Sequence, residues 1–466
     1  MKKFIAVLAV LALTLVASVA MAEVTVSGSV DIRSLGLNNV VDQNSKLSSS
    51  TDKVFNTQER IRINVDAKHE NVKGRITIEN DWDVWGRFES PQGNATITSA
   101  ATGTTLPITS TSDAGRLKIR EGWIDFTIPG AGPAHVKVGH QFLQLGNGWF
   151  FRSGKYGSDA WVVGLPGKNT IAFVDVKFSE QTNNNSDDVD AYVLLDNFKI
   201  DDTKTVGVYF ARVADKQGKF LASRFNSESP AGGAAGNFQA EIGDEANIDT
   251  IGLWFNGKLG PINLQAELNQ QMNKWKSASG GDTKFKGNQI VVQANMPINP
   301  LSVNATIAMG SGIDLQGGGN DFKQIVTALD ADPHYTFVYE YLTKTACITS
   351  TAWNATLGES VPVYGKNTGF CNTTALNLGA GFAVSKNISV NLDYWMLKAT
   401  EKVSINGAAL SDDVGNEIDL VLKFKLYDQL TWNWQIGRLM PGKAYDYAAA
   451  AADDVDAIQG ILSYKF

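Results

Sequence analysis

The chain of 466 residues is acidic, with 48 Asp and Glu against 41 Lys and Arg and a formal net charge of −7. This balance argues against nucleic acid as a partner, because a phosphate backbone is bound by a basic surface. The hydrophobic content of 43% does not separate a soluble protein from a membrane β-barrel, in which half of each strand faces water, so the order of the residues has to decide.

The N-terminus has the features of a secretory signal peptide. Lys2 and Lys3 precede an uncharged apolar run, and residues 20–22 (Ala-Met-Ala) then form a small-residue cleavage site. The apolar run is shorter than the roughly 20 residues that a membrane helix needs, which disfavours a helical anchor. We therefore expect residues 1–22 to be cleaved during export and residues 23–466 to form a single domain.

From Glu23 onward, apolar and polar residues alternate with the period of two that is typical of strands with one apolar and one wet face. The predicted strands cover residues 24–33, 60–66, 75–82, 116–128, 135–145, 158–165, 170–178, 188–199, 203–213, 248–258, 262–273, 286–296, 301–309, 373–384, 388–398, 415–427, 430–437 and 458–466. The phase changes within the fourth strand, which predicts a bulge near Glu121 and Gly122. In the third strand, Trp82 falls on the apolar phase.

Short and long connections alternate between these strands. Residues 199–203 form a short one, whereas residues 310–372 form a long one. The segment 335–342 is strand-like, but a crossing there would break the alternation, so we place it inside the long loop. The pattern favours about eighteen antiparallel strands, with sixteen or twenty as alternatives.

A transmembrane β-barrel explains this pattern better than a soluble sandwich. The strands reach the length that a tilted membrane crossing needs, and short periplasmic turns opposite long extracellular loops are typical of barrels. Charged residues in the strands fall on one phase, and an Arg that faced lipid would cost about 2–4 kcal/mol at the bilayer midplane. The charged phase is therefore expected to face the lumen of an all-β barrel.

The first five strands place many cations on the wet phase, together with several acids. The predicted pore-lining residues are Arg33, Arg60, Arg62, Arg75, Arg116, Lys118, Arg120, Lys137, Asp66, Glu79 and Asp125. Cations on neighbouring strands would form a basic stripe on one wall, for which we expect a weak anion preference. The alternative is that these charges are solvated and partly paired with one another.

A loop folded into the lumen would set the width of the channel. The first candidate is residues 146–158, in which aromatic and cationic residues lie between glycines; its predicted constriction residues are Trp149, Arg152, Lys155 and Tyr156. The alternative is an outward surface loop. The long loop of residues 310–372 is a rival for the same position.

Two cysteines, Cys347 and Cys371, lie in that long loop. An exported chain enters an oxidising compartment, which favours a disulfide over free thiols, and closing a loop of this size would contribute roughly 3 kcal/mol. Neither residue belongs to a C-x-x-C motif, so zinc and redox chemistry are poorly supported.

Signs of catalysis and of metal binding are weak. The sequence contains no G-x-S-x-G, H-E-x-x-H, P-loop or Rossmann motif, although a triad assembled from distant strands would leave no local signature. Acidic clusters occur in predicted outer loops, but none has the spacing of an EF-hand. We expect no enzyme activity, no cofactor and no metal.

The end of the chain carries a resemblance to known proteins. The last strand places apolar or aromatic residues at alternate positions, including Leu462, Tyr464 and the terminal Phe466. This arrangement resembles the insertion signal of bacterial outer-membrane β-barrels, and it implies that these residues close the barrel and that the barrel-assembly machinery receives the chain.

A second resemblance lies in the preceding hairpin and in one early strand. Residues 415–421 (GNEIDLV), 427–430 (YDQL) and 440–442 (MPG) resemble the closing hairpin of alginate-export-type porins, and residues 136–141 (VKVGHQ) resemble a V-G-R-Q strand of such barrels, with His140 in place of Arg. The resemblance implies a Gram-negative outer-membrane porin, exported through a Sec signal peptide.

The resemblance also sets the functional expectation. It implies an outer-membrane channel, and because an eighteen-strand interior is too wide for side chains to fill, we expect the channel to be water-filled and to serve passive diffusion of ions and small hydrophilic solutes. The alternatives are a substrate-specific channel for anionic oligosaccharides or organic acids, and a plugged structural or adhesive barrel. Its expected partners are outer-membrane lipids, lipopolysaccharide and, from general likeness to porins, two further copies in a homotrimer.

Overall fold

The computed structural model describes residues 23–40, 43, 53–85, 95–98, 105–108, 117–154, 157–180, 188–216, 245–276, 281–314, 321–327, 334–354, 359–364, 369–448 and 450–466. Within these ranges, eighteen long strands pair as antiparallel neighbours in one closed sheet, which three short loop strands extend. The expected signal peptide lies outside the described residues.

The eighteen strands follow chain order around the cylinder. They are β1 (Glu23–Asn38), β2 (Lys53–His69), β3 (Val72–Val84), β4 (Leu117–Thr127), β5 (His135–Gln141), β6 (Ser158–Leu165), β7 (Asn169–Ser179), β8 (Val189–Asp201), β9 (Lys204–Asp215), β10 (Glu245–Leu259), β11 (Ile262–Met272), β12 (Asn288–Ile298), β13 (Leu301–Gly310), β14 (Thr373–Ser385), β15 (Ile388–Val403), β16 (Ser411–Lys425), β17 (Leu430–Pro441) and β18 (Val455–Lys465). Each corresponds to a predicted strand, and the fold class is confirmed.

Short strands also occur in the connections. They are Ala95–Thr98 with Thr105–Ile108, Gln144–Leu145 with Phe151–Arg152, Lys274–Lys276 with Thr283–Phe285, Asp321–Phe322, and Ile348–Asn354 with Glu359–Tyr364. A 3₁₀ helix spans Lys443–Tyr445. No helix in the described part of the chain is long and apolar enough to cross a membrane.

The barrel closes between its first and last strands. The register runs from Ser29 opposite Lys465 to Asn38 opposite Asp456. Beyond the ladder, the Gly28 amide donates to the Phe466 carbonyl at 2.9 Å and the Phe466 amide donates back at 3.1 Å. The terminal residue thus pairs with the first strand, and the sheet has no open edge there.

The two faces of the wall differ as the alternation predicts. On β10, Ile251 and Leu253 are 43% and 52% exposed on the outer face, whereas the preceding residue Thr250, on the opposite phase, is 2% exposed. The largest buried cluster instead joins interior wall residues such as Leu397 and Leu439 to loop residues. Apolar side chains therefore face outward along the wall, and the packed core lies inside the barrel under its loops.

The predicted bulge in β4 is present. Thr77 pairs with Glu121, but the next residue, Ile78, pairs with Ile119, so Arg120 is the extra residue. One inserted residue changes which phase of the strand faces the interior, and this explains the shift in the sequence pattern.

Candidate functional site: the barrel interior and its inward loops

Cations and carboxylates interleave on the interior face of the first strands. Arg60 Nη2 lies 2.9 Å from Asp31 Oδ2 on β1, and Arg75 Nε lies 2.7 Å from Asp66 Oδ1 on β2. Each pair joins adjacent strands at directly opposed positions. These cations are therefore partly neutralised within the wall.

One carboxylate of β3 serves two guanidiniums. Arg62 on β2 and Arg120 on β4 both contact Glu79, which is only 2% exposed. Arg120 also donates to the carbonyl of Gly154, in the connection between β5 and β6. A single buried acid thus orders two cations, and one of them ties the wall to a loop.

Arg33 differs from its neighbours because its contacts are with neutral groups. Its Nε donates to Gln58 Oε1 at 2.9 Å, and its Nη1 donates to the Tyr341 hydroxyl at 3.1 Å. The guanidinium carbon lies 4.0 Å from the centroid of the Trp82 ring, and that of Arg60 lies 4.3 Å from the same centroid. Trp82 therefore holds two cations through its π face.

The position of Trp82 corrects the sequence interpretation, which placed it on the apolar phase. Glu59 pairs with Asp83, but Ile61 pairs with Asn80, so β3 contains one extra residue at this point. The irregularity moves Trp82 to the interior phase. No local feature of the sequence indicated this bulge.

Lys137 and Asp125 lie on the same wall, near the short turn that joins β4 to β5. Lys137 Nζ is 4.1 Å from the centroid of the Trp123 ring, and Asp125 Oδ1 is 3.3 Å from His135 Nδ1. Both of the predicted residues therefore have interior neighbours, although neither lies at the arginine cluster.

Lys118 is the remaining wall cation that the structure describes. Its Nζ lies 3.7 Å from Asp81 Oδ2. Arg116, which the sequence places in the same group, lies outside the described residues. For all of these wall residues, a role in conduction stays a prediction.

His140, which replaces the Arg of the similar barrels, faces outward. It stands opposite Asp159 in the register, two positions from the pair Val138 and Trp161, and Trp161 is 55% exposed. His140 Nδ1 lies 2.8 Å from Asp159 Oδ1. The side chain of His140 therefore lies on the outer face of the wall and does not line the lumen.

In the loop of residues 146–158, the described residues 146–154 fold inward and reach β11. The amides of Asn147 and Phe150 donate to the Glu267 carboxylate at 2.7 and 3.1 Å, and Glu267 is 1% exposed. The Phe150 ring stacks on Tyr209 of β9 with centroids 6.0 Å apart. Since the loop leaves from β5, it has to extend along the interior to make these contacts.

The four predicted constriction residues of this loop have different positions. The Trp149 ring lies 5.1 Å from the Phe370 ring of the longer loop, measured between centroids. Arg152 lines the interior cavity described below. Lys155 and Tyr156 lie outside the described residues.

In the rival loop, residues 310–372, the described segment 334–354 also folds inward. The amides of Val338 and Tyr339 donate to the two oxygens of Glu417 at 2.6 and 2.7 Å, and the amide of Phe337 donates to Asp419 at 3.3 Å. The strand-like segment around these residues forms turns, not a strand. The sequence treated the two loops as alternatives, whereas the structure places both inside.

A disulfide joins Cys347 and Cys371, whose Cα atoms are 5.3 Å apart. Next to it, Asn372 Nδ2 donates to the Ala346 carbonyl at 2.9 Å. Thr373 then begins β14. The link thus connects the inward part of the long loop to the point where the chain re-enters the wall.

The three anchoring acids, Glu267, Glu417 and Asp419, were not singled out from the sequence. Their only signal is that each is an acid on the wet phase of a strand. Their partners are backbone amides, which every residue type except proline provides, so no residue pattern could reveal the pairing.

The inward loops and the cationic wall enclose a cavity of about 690 Å³. Five guanidiniums line it, and the lining also includes Asp81 and Trp82 of the wall and Tyr341 of the long loop. The five arginines are Arg33, Arg60, Arg62, Arg120 and Arg152. The lining therefore combines guanidiniums, a group that can bind anions, with aromatic rings.

A family model described as Gram-negative porin matches residues 8–332. The chain belongs to the Gram-negative porins. The membership confirms the predicted outer-membrane location, and together with the barrel it makes this porin an outer-membrane channel for small solutes. The likeness of the closing hairpin to alginate-export-type porins remains a resemblance in sequence.

Solved structures share the fold of this porin at low identity. The outer membrane protein opdK from Pseudomonas aeruginosa has 7% identity and a TM-score of 0.51, with 95% of this chain and 98% of that chain covered. OccK9 (OpdG) from the same organism has 11% identity and a TM-score of 0.52, with the same coverage. OccAB2 from Acinetobacter baumannii has 7% identity and a TM-score of 0.50, also with 95% and 98% covered. A search of curated proteins finds no match.

Proposed function

We propose that this porin is a passive, non-enzymatic channel with a weak preference for anions. The observation that carries the proposal is the cavity of about 690 Å³ lined by five guanidiniums. Three carboxylates, those of Asp31, Glu79 and Asp81, line it or pair with its arginines, which leaves an excess of positive charge. Fixed charge at a narrow point sets the sign of the ions that pass.

A second candidate is a substrate-specific channel for anionic organic acids. It is favoured by the contact of Trp149 with Phe370, because two loops that meet inside the barrel leave less width than a single loop would. It is also favoured by the stacking of Arg33 and Arg60 on Trp82, which fixes two guanidiniums in space. Fixed cations beside aromatic rings suit the recognition of a flat carboxylate.

Single-channel recording in a planar bilayer tests both candidates. The reversal potential across a salt gradient should indicate mild selectivity for chloride over potassium. Clear cation selectivity would overturn the anion preference, and the absence of conductance would favour a plugged structural barrel. Current block that depends on the identity of an added carboxylate would favour the substrate-specific channel.

We also propose partners for this porin. The terminal Phe466, paired with Gly28 at the seam, fits assembly by the barrel-assembly machinery. A homotrimer follows only from general likeness to porins. The mass of the detergent-solubilised complex, with the detergent subtracted, would separate a trimer from a monomer.

A further inference from the structure

The outer surface of the barrel contains a groove beside the closing seam. It crosses four neighbouring strands, β2, β1, β18 and β17, near the ends that lead into long loops, and it has a volume of about 750 Å³. Because long loops are extracellular in such barrels, this groove lies in the outer leaflet of the membrane.

The register gives the groove an apolar row. Phe55 stands opposite Gly36, Gly36 opposite Ile458, and Ile458 opposite Ile436, so these four residues share one face. Phe55 is 76% exposed, and the two isoleucines are each 39% exposed. The face therefore presents apolar surface to the lipid rather than to the lumen.

Gly36 forms the floor of the groove. A Cβ atom added there would lie 2.9 Å from Ile458 Cγ2 and 3.4 Å from Phe55 Cδ2. With no side chain at this position, Ile458 and Phe55 pack close to the backbone of Gly36, and the three residues together line the groove. Its shape fits a linear acyl chain, which gains about 0.8 kcal/mol for each methylene group that it buries.

A polar row borders the apolar row on its extracellular side. Lys53 stands opposite Asn38, Asn38 opposite Asp456, and Asp456 opposite Arg438. Arg438 Nε and Nη2 lie 2.6 and 3.1 Å from the two oxygens of Asp456. Two cations and one carboxylate leave a net positive charge at the level of the lipid head groups.

We propose that this groove binds one molecule of lipopolysaccharide, with a lipid A acyl chain along Gly36 and a lipid A phosphate between Lys53 and Arg438. The positive row complements the phosphate, and the apolar row complements the chain. A second copy of the porin is the alternative occupant, and the oligomer measured in the Arg438→Gln variant distinguishes it from lipid A.

The experiment uses the porin refolded without lipopolysaccharide, with purified lipid A as the probe and native mass spectrometry as the readout. Lys53→Gln and Arg438→Gln should each weaken lipid A binding about fivefold, since a basic residue near anionic lipid contributes about 1 kcal/mol. Phe55→Ala should weaken binding by removing one side of the groove. Heat-modifiable migration in gels confirms that each variant has folded.

Arg212→Gln is the matched control. Arg212 forms an equivalent bidentate pair with Asp249, with both distances 2.7 Å, beside the outward-facing Phe210 on a different part of the wall. Its loss should leave lipid A binding unchanged.

Three results would overturn the proposal. One is equal weakening by Arg212→Gln and Arg438→Gln. Another is displacement of lipid A by phosphatidylglycerol at equal concentration, which would assign the groove to a phospholipid. A third is dissociation of an oligomer in the Arg438→Gln variant, which would assign the groove to a second copy of the chain.

Discussion

Arg33 has a distinct place in the cationic wall because its ordering does not depend on a carboxylate. Gln58, Tyr341 and the Trp82 ring fix its guanidinium. The guanidiniums of Arg60 and Arg62 instead pair with acids. Removing an arginine of the second kind exposes an acid as well as losing a cation, whereas removing Arg33 only loses a cation.

We therefore expect Arg33→Gln to reduce anion preference without leaving an unpaired carboxylate behind. The reversal potential across a tenfold salt gradient should shift toward the equilibrium potential of potassium. A similar shift is expected for Arg152→Gln, since Arg152 lines the same cavity. Arg212→Gln, on the outer surface, is the control and should not change the reversal potential. An unchanged value in Arg33→Gln would show that this cation does not act on permeating ions.

At the scale of elements, each inward loop is held by a buried acid on a wall strand that the loop does not itself join. Glu267 accepts amides of the shorter loop, and Glu417 accepts amides of the longer loop. Both acids are at most 1% exposed. Because backbone amides carry these bonds, the anchoring depends on the acids and on loop geometry rather than on loop side chains.

Replacing an anchor by glutamine should loosen only its own loop. A hydrogen bond to a charged group contributes about 1.5–3 kcal/mol, so amide hydrogen exchange should accelerate tenfold or more at the released amides. Glu417→Gln should affect Val338 and Tyr339, and Glu267→Gln should affect Asn147 and Phe150. Each variant is the control for the other. Equal acceleration in both loops would mean that they open as one unit.

The disulfide restrains the same long loop by a second route. The bond joins residues 24 positions apart, and its loss restores conformational freedom that corresponds to roughly 3 kcal/mol in the chain-entropy model. We expect a Cys347→Ser, Cys371→Ser double variant to show larger fluctuations in the open-channel current. A reductant should produce the same change in the native porin and none in the double variant. Insensitivity of the native porin to an effective reductant would contradict this role.

At the scale of the whole molecule, the wall has to meet hydrocarbon on one side and water on the other. Leu392 on β15 is 50% exposed on the outer face, and its neighbour Asn391 is on the opposite phase. Leu392→Arg should lower the free energy of unfolding by about 2–4 kcal/mol in lipid vesicles. Asn391→Arg, a control one residue away, should cost much less. If a urea titration showed that both variants lose the same free energy of unfolding, the assignment of the two faces would be contradicted.

The sequence by itself determined where the strands lie and predicted about eighteen of them, with sixteen or twenty as alternatives; the described part of the chain has eighteen long strands. Alternation in segments such as 262–273 depends only on which solvent each face meets, and that constraint is local, so it could be recognised without a structure. Loop alternation and the terminal aromatic residue then favoured a closed membrane barrel over a sandwich. Family membership agrees with that interpretation.

Only the tertiary structure decided what lies inside the barrel. It brought Arg152 of a loop to the arginines of β1, β2 and β4, moved Trp82 inward through a bulge, and placed both candidate loops in the lumen. These arrangements depend on contacts between residues that are far apart in sequence. Many of those contacts are made by backbone groups, which carry no signal in the identity of a residue.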